Sequence, residues 1–419
     1  MTNRARNAVI AVLTAAVVGA TCAPVSAQTE PGWKVQGNVT GMAGQYFYDK
    51  SAGSVNGFAD ADAQLLRSFS TERGFYLDAH TTYTGFKQVD ELAGGGTLFQ
   101  QSWDNSLEGK FVQRYDDGWS LKPRLAVRSE LYRETVDEQW GKGLYDFARG
   151  EGGLLLEHKT RLGLSTPWTW QLSWDVYYTH YPHFQSLTSQ FGTEQSAPDP
   201  DSRILDTVSN QLSYRSDFDL PGFAAAWFQY SVSFISFTDQ KVVNSQDQFL
   251  STNRTDAFQS LDLGYSKRLN DWLKLGRVRP VVAIDWTTSD LISNQNDFDA
   301  DPSRLKFIGA YYDYWETHLS PSLTAAFLKA GSVLRVGADF GARYYTGRLS
   351  QNGDGSYRGD KLHQYTEAVT LDFSQPLWRQ LDFRARAAWE NTSANTYYEQ
   401  TYTYNYHDYN YFAGLGWRF

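Results

Sequence analysis

Alternation of apolar and polar residues is the dominant pattern along this chain. Residues 121–128 place Leu, Pro, Leu and Val at odd positions, and Lys, Arg, Ala and Arg at even positions. Residues 170–176, 334–341 and 383–390 alternate in the same way. Because successive side chains of a β-strand point to opposite faces, each segment is predicted to be a strand with one apolar and one polar face.

Connections of two kinds separate these segments. Seven are short, and nearly all carry the Gly, Pro, Asn or Asp of tight turns: 70–74, 115–118, 165–168, 217–222, 270–272, 329–331 and 375–378. Eight are longer and polar: 49–57, 87–100, 135–150, 181–203, 239–254, 288–304, 348–361 and 393–402. Their strict alternation predicts an all-β fold, a transmembrane antiparallel β-barrel of about 16 strands (14 to 18 as the range). The longest segment, 307–327, is expected to project beyond the membrane.

Aromatic residues recur beside the short turns and predict a girdle at the membrane interface. This set is Phe69, Phe75, Tyr115, Trp119, Trp168, Trp170, Phe218, Phe223, Trp272, Phe327 and Trp378. A second girdle is expected toward the long loops, with Tyr46, Tyr48, Tyr83, Tyr178, Trp286, Tyr344, Trp389 and Tyr404.

The last strand ends on an aromatic residue, Phe419, preceded at every second position by Trp417, Leu415, Ala413 and Tyr411. This ending resembles the C-terminal signal of bacterial outer-membrane β-barrels; the alternative is an amphipathic edge strand that arose by chance. The resemblance implies a barrel in the outer membrane of a Gram-negative bacterium, with short periplasmic turns and long extracellular loops. It also implies that the barrel-assembly machinery reads Tyr411, Leu415, Trp417 and Phe419. No subfamily motif accompanies it.

Residues 1–27 have the features of a Sec-type signal peptide: two arginines, an apolar run and a Val-Ser-Ala cleavage site. Cleavage after Ala27 would leave residues 28–419 as a single barrel domain and would remove the one cysteine, Cys22. A lipoprotein acylated at Cys22 is the alternative, but Thr21 stands where a small residue should precede it. The formal net charge of −9 argues against binding to nucleic acid.

Charges of both signs collect on the polar faces of the predicted strands. The pore-lining candidates are Lys122, Arg124, Arg128, Lys159, Arg161, Arg277, Arg279, Arg335, Arg343, Arg384, Arg386, Glu108, Glu130, Glu157 and Asp339. So many charges require a hydrated interior, in which arginines would attract anionic groups of a solute. The alternative is that they form ion pairs and only keep the interior polar. The clusters at 122–128 and 159–161 are the first candidates for solute contact.

Catalytic motifs do not accompany this pattern. The seven histidines occur without a Ser-centred nucleophile motif or an HExxH motif. His180 and His183 have the spacing of a weak metal site, and residues 297–301 carry three spaced carboxylates, but solvated loops explain both. We therefore expect no enzymatic activity and no metal or other cofactor.

The predicted function is an outer-membrane channel for small hydrophilic solutes. One alternative is an export channel for a secreted polymer such as an exopolysaccharide, which would need periplasmic export components as partners. Another is a surface enzyme or adhesin on a barrel scaffold. Outer-membrane lipid and the barrel-assembly machinery are the other expected partners. The sequence leaves open whether the chain forms a homo-oligomer and which loop constricts the pore.

Overall fold

The computed structural model describes residues 32–49, 54–90, 97–133, 138–163, 166–184, 203–269, 276–399 and 403–419. The predicted signal peptide, Trp272 and most of the segment 181–203 lie outside these residues. A short 3-10 turn spans Asp116–Gly118. Within the described ranges, no helix is long and apolar enough to cross a membrane.

The strands run as follows: β1 (Trp33–Tyr48), β2 (Ser54–Ser68), β3 (Arg73–Asp90), β4 (Thr97–Arg114), β5 (Trp119–Arg133), β6 (Phe147–Leu162), β7 (Thr166–His180), β8 (Thr207–Leu220), β9 (Ala224–Val243), β10 (Phe249–Arg268), β11 (Val278–Ser293), β12 (Asp297–Asp299), β13 (Lys306–Ile308), β14 (Tyr314–Phe327), β15 (Ser332–Gln351), β16 (Tyr357–Trp378), β17 (Leu381–Ala394) and β18 (Tyr406–Arg418). All except β12 and β13 form one closed antiparallel ring, in which β18 pairs with β1. The prediction of a sixteen-strand barrel is confirmed.

The apolar face of each strand is the outer one. Leu125 is 72% exposed, whereas Asp175, on the polar parity of β7, is 3% exposed. Trp174 and Phe340 are also exposed on the apolar parity. In a closed barrel the opposite parity faces the interior. The period-two pattern therefore sorts apolar side chains toward lipid and polar ones toward the lumen.

Short and long connections alternate along the described strands as the sequence predicts, but several bounds differ. The last short turn lies at 379–380, because residues 375–378 belong to β16, and β7 and β8 extend into the predicted turns 165–168 and 217–222. The predicted turn at 270–272 lies outside the described residues. Four of the short turns contain a glycine with positive φ: Gly118, Gly163, Gly222 and Gly331. This backbone conformation is unfavourable for residues with a Cβ atom, so glycine allows the chain to reverse tightly. Turn chemistry that is visible in the sequence thus sets the ends of these hairpins.

The expected long strand at 307–327 is wrong. The structure divides it into β13, which forms a small hairpin with β12, and the barrel strand β14. Ala310 has a positive φ, and the carboxylate of Asp313 accepts a hydrogen bond from the main chain of Ser293 at 2.7 Å. These features interrupt the strand. The strands that run longest are instead β9, β10, β15 and β16, with 20, 20, 20 and 22 residues.

The second aromatic girdle is confirmed in part. Tyr178, Trp286, Tyr344 and Trp389 are exposed on the outer parity. Three assignments are wrong: Tyr46 is 6% exposed and stacks on Phe86, the Tyr48 ring contacts that of Tyr406, and Tyr404 is 7% exposed beneath the guanidinium of Arg348. They lie on the inner parity or in a loop that folds inward, a distinction that ring type alone does not encode.

The barrel closes through the two ends of the chain. The main chain of Phe419 exchanges two hydrogen bonds with Gly37, each with an N···O distance of 3.0 Å. The pairing continues from Asn38 opposite Arg418 to Tyr48 opposite Asp408. Phe419 therefore pairs back with the strand that begins at Trp33, as expected.

Candidate functional site: the charged wall of the lumen

The inner wall of β5, β6 and β7 carries close ion pairs. The Lys122 ammonium lies 2.7 Å from Oε2 of Glu157, which also accepts a hydrogen bond from the side-chain amide of Gln171 at 2.9 Å. Arg124 binds Asp175 through two nitrogens, at 2.8 and 2.6 Å. Bidentate guanidinium–carboxylate pairs are among the stronger polar contacts in proteins.

Arg124 and Asp175 meet across an intervening strand. Arg124 on β5 is opposite Gly153 on β6, and Gly153 is opposite Asp175 on β7. A Cβ atom at Gly153 would overlap the Asp175 carboxylate and come within 3.1 Å of Nε of Arg124. The absence of a side chain at this position is therefore what lets the two charges touch over β6.

Arg128 forms the next pair toward the long loops. Its guanidinium donates to Asp104 at 3.0 and 2.5 Å and to Glu130 at 3.2 Å. Below it, Lys110 contacts Glu108 at 2.5 Å. A niche of about 220 Å³ opens between these groups, lined by Asp78, Ser106, Glu108, Ala126, Val127, Arg128, Arg149 and Glu151.

A second charged group lies on the far wall, on β14 and β15. Arg343 donates to both oxygens of Glu316, at 3.0 and 3.2 Å. His318 lies between two carboxylates, 2.8 Å from Asp339 and 3.2 Å from Glu316. The predicted residues Arg343 and Asp339 are thus brought into one cluster.

Charged side chains on β16 and β17 show that the interior contains accessible space. Arg386 and Asp372 face each other at 3.7 Å, and their side chains are 44% and 46% exposed. Both lie on the inner parity, so their exposed surface faces the lumen. Arg335 is opposite Asp372 in the strand register, and Arg384 packs over Gly416. Within the described residues, no hydrogen bond reaches Nε of Arg384.

The remaining basic candidates lie toward the short-turn end. Lys159 is exposed and 3.6 Å from Glu157. Arg161 and Arg279 are exposed near the ends of their strands. Arg277 lies in the turn before β11 and not in a strand, so it belongs to the rim of the barrel.

Basic and acidic residues are distributed unequally between the two ends of the barrel, a feature that the sequence analysis did not predict. The short-turn end is rich in basic residues: Lys34, Arg67, Arg73, Arg114, Lys159, Arg161, Lys267, Arg268, Arg277, Arg279, Lys329, Arg379 and Arg418, against Glu72, Asp116, Asp117, Asp217, Asp219 and Asp382. The long-loop end has more acidic than basic residues: Asp49, Glu138, Asp146, Asp206, Asp239, Asp247, Asp297, Asp299, Asp301, Asp313, Asp354, Asp360 and Glu399, against Arg133, Lys142, Arg203, Lys241, Arg304, Lys306, Arg348, Arg358 and Lys361. Counting charges by their distance from the short turns would have revealed it.

The loop residues considered as metal sites are bound by their own chain. Nδ1 of His180 lies 2.7 Å from Oδ2 of Asp206, and Asp299 pairs with Arg304 at 2.6 Å. In the part of the chain that the structure describes, one group of three or more side chains has the spacing of a metal site: Asp60, Asp62 and His80. The sequence indicated these residues only as separate polar positions.

No protein-family model matches the chain, and no curated protein matches it. Solved structures with similar folds include the following three. OmpTdeltaL8, an outer membrane protein of Vibrio cholerae, shares 8% identity over 93% of this chain and 99% of its own, with a TM-score of 0.39. OmpF of Salmonella typhi shares 12% identity over 92% and 97%, with a TM-score of 0.42. CdiB from Acinetobacter baumannii shares 10% identity over 92% and 60%, with a TM-score of 0.44.

These TM-scores and identities are too low to indicate function. The strand pairing of this chain is the evidence for its class. Sixteen antiparallel strands form a ring with no free edge, which is the arrangement that satisfies every backbone group in a bilayer. The outer face is apolar and the inner face carries paired charges. The protein is an outer-membrane β-barrel of a Gram-negative bacterium.

Proposed function

We propose that this barrel is a passive channel for small hydrophilic solutes. The observation that carries the proposal is the exposure of charged side chains on the inner parity, above all Arg386 and Asp372. A side chain that points into a closed barrel can be exposed only to interior space, and charges there require water. A hydrated interior lined by charges supports passage of polar molecules.

The arrangement of the charges supports weak and unselective binding in the middle of the barrel. Arg124, Lys122 and Arg343 are each held by a carboxylate, so much of the mid-wall is compensated locally. Polar solutes can exchange water for such paired groups and leave again, as conduction requires. At the periplasmic rim Lys159 and Arg161 are exposed, and the excess of basic residues would concentrate anions there. The proposed transport needs no cofactor and no chemical step.

Planar-bilayer recording of the purified protein tests the proposal. We expect discrete conductance steps and, in a KCl gradient, a reversal potential that favours chloride. Exchanging both Lys159 and Arg161 for Glu should shift the reversal potential toward potassium. Lys142→Glu, which makes half of this change in charge in an extracellular loop, should shift the reversal potential by much less than half as much. A correctly folded barrel that never conducts would overturn the proposal.

Export of an anionic polymer is the second candidate, and the unequal distribution of charge between the two ends of the barrel favours it. A basic periplasmic rim would capture a polyanion at the end from which an export cargo enters. This function would involve periplasmic export components as partners. A barrel that stays closed in bilayers, together with loss of surface polymer on gene deletion, would favour export over the passive channel.

A further inference from the structure

We propose that Asp60, Asp62 and His80 bind a divalent transition-metal ion on the lumen wall, a site beyond the proposed channel function. Asp60 and Asp62 lie on the inner parity of β2, and His80 lies opposite Asp62 on β3. Nδ1 of His80 is 2.6 Å from Oδ1 of Asp62, and Nε2 is 3.8 Å from Oδ2 of Asp60. One donor atom of each residue lies within 4.8 Å of the others.

The donor set selects the class of ion. One imidazole nitrogen with two carboxylate oxygens is typical of Zn²⁺ and related ions, whereas Mg²⁺ prefers oxygen donors and retains its water. Three protein ligands leave a fourth position for water or a solute. Binding would replace the contact between His80 and Asp62, and the two carboxylates would neutralise the charge of a divalent ion.

A buried hydroxyl at the same place supplies independent support. Thr40 on β1 is directly opposite Asp60 in the strand register, and both lie on the inner parity. Thr40 is 2% exposed, and its Oγ1 has no hydrogen-bond partner among the described residues. A buried, unsatisfied hydroxyl costs about 1–3 kcal/mol. Cross-strand neighbours lie about 5 Å apart, so water bound to a metal at Asp60 would reach this oxygen.

The carboxylates are already oriented by their neighbours. The side-chain amide of Asn38 donates to Oδ2 of Asp62 at 3.0 Å, and the hydroxyl of Thr82 donates to Oδ2 of Asp60 at 2.9 Å. Hydrogen bonds of this kind hold metal-binding side chains in place and strengthen binding. The side chain of His80 is 38% exposed to the lumen, and an ion that binds Nε2 would displace the Thr82 hydroxyl, which lies 2.7 Å from that nitrogen.

The far wall offers a natural comparison. His318 also lies between two carboxylates, but there Arg343 donates to Glu316 at 3.0 Å. The guanidinium supplies the positive charge that a metal ion would bring, and the residues do not form a group with metal-site spacing. His318 therefore provides a matched control for His80.

Titration calorimetry of the full-length barrel in detergent, with ZnCl₂ as the probe, tests the proposal. We expect one site per barrel for Zn²⁺ and much weaker binding of MgCl₂. His80→Gln and Asp62→Asn should each weaken Zn²⁺ binding about 10- to 100-fold or more, whereas His318→Gln should leave it unchanged. Heat-modifiable migration on gels shows whether each variant is folded. If the His80 variant does not fold, the Asp62 variant tests the site in its place.

Three results would overturn the site: a wild-type barrel that binds no Zn²⁺, a folded His80 variant that binds it with unchanged affinity, or equal losses in the His80 and His318 variants. Because calorimetry does not depend on conductance, a barrel that fails to conduct would refute the proposed channel and leave the metal site standing.

Discussion

Deletion of Phe419 distinguishes two roles of the closing strand, namely stabilising the barrel and signalling its assembly. In the folded protein the deletion removes the two main-chain hydrogen bonds between Phe419 and Gly37. It also removes the contact of the Phe419 ring with Trp417, whose centroids are 4.9 Å apart. At about 0.5–1.5 kcal/mol for each hydrogen bond and for the ring pair, the free energy of unfolding should fall by roughly 1.5–4.5 kcal/mol.

This loss leaves most of the seam between β1 and β18 intact. Eleven residue pairs, from Asn38–Arg418 to Tyr48–Asp408, still join the two strands. Protein without Phe419 should therefore refold from urea into lipid vesicles and keep its heat-modifiable migration. Tryptophan fluorescence during urea titration measures the change in unfolding free energy.

In cells we expect a much larger effect, because the resemblance assigns Phe419 to the signal that the assembly machinery reads. The amount of folded barrel in the outer membrane should fall sharply. Phe69→Ala, which removes an exposed ring in a periplasmic turn outside β18, should leave that amount unchanged. Normal amounts of folded barrel in cells would refute the role of Phe419 as a signal. A refolding defect in vesicles as severe as the loss in cells would show that Phe419 acts only through stability.

Two further predictions concern the pair that crosses β6. Arg124→Met should lower the free energy of unfolding by about 3–5 kcal/mol, because it leaves the buried Asp175 carboxylate without a cation. In urea titrations, a double variant that also carries Asp175→Leu should recover most of this loss. Additive losses from the two changes would contradict the pairing. Gly153→Ala should push Arg124 and Asp175 apart and lower the free energy of unfolding by about 1–3 kcal/mol. Gly152→Ala on the outer face, where the atom nearest to the new Cβ would be 3.5 Å away, should lower it little. Equal effects of the two alanines would contradict the contact between Arg124 and Asp175 over β6.

The sequence determined the architecture because its signals are local. Side-chain alternation along residues 121–128 fixes which parity faces lipid, since a period of two is a property of a single strand. Glycines such as Gly118 and Gly331 mark reversals that need positive φ. The alternation of short turns with long loops then gives the number of strands, and the terminal Phe419 identifies the strand that closes the ring.

The tertiary structure alone decided which charges meet. Arg124 and Asp175 are 51 positions apart, and their contact depends on barrel register and on a glycine in the strand between them. The same dependence on register brings His80 to Asp62 and sets Thr40 beside Asp60. Periodicity tells which face a side chain occupies, but contacts between strands depend on the stagger of each hairpin. For this reason the sequence predicts a charged lumen, whereas only the folded barrel shows its ion pairs and its metal-binding geometry.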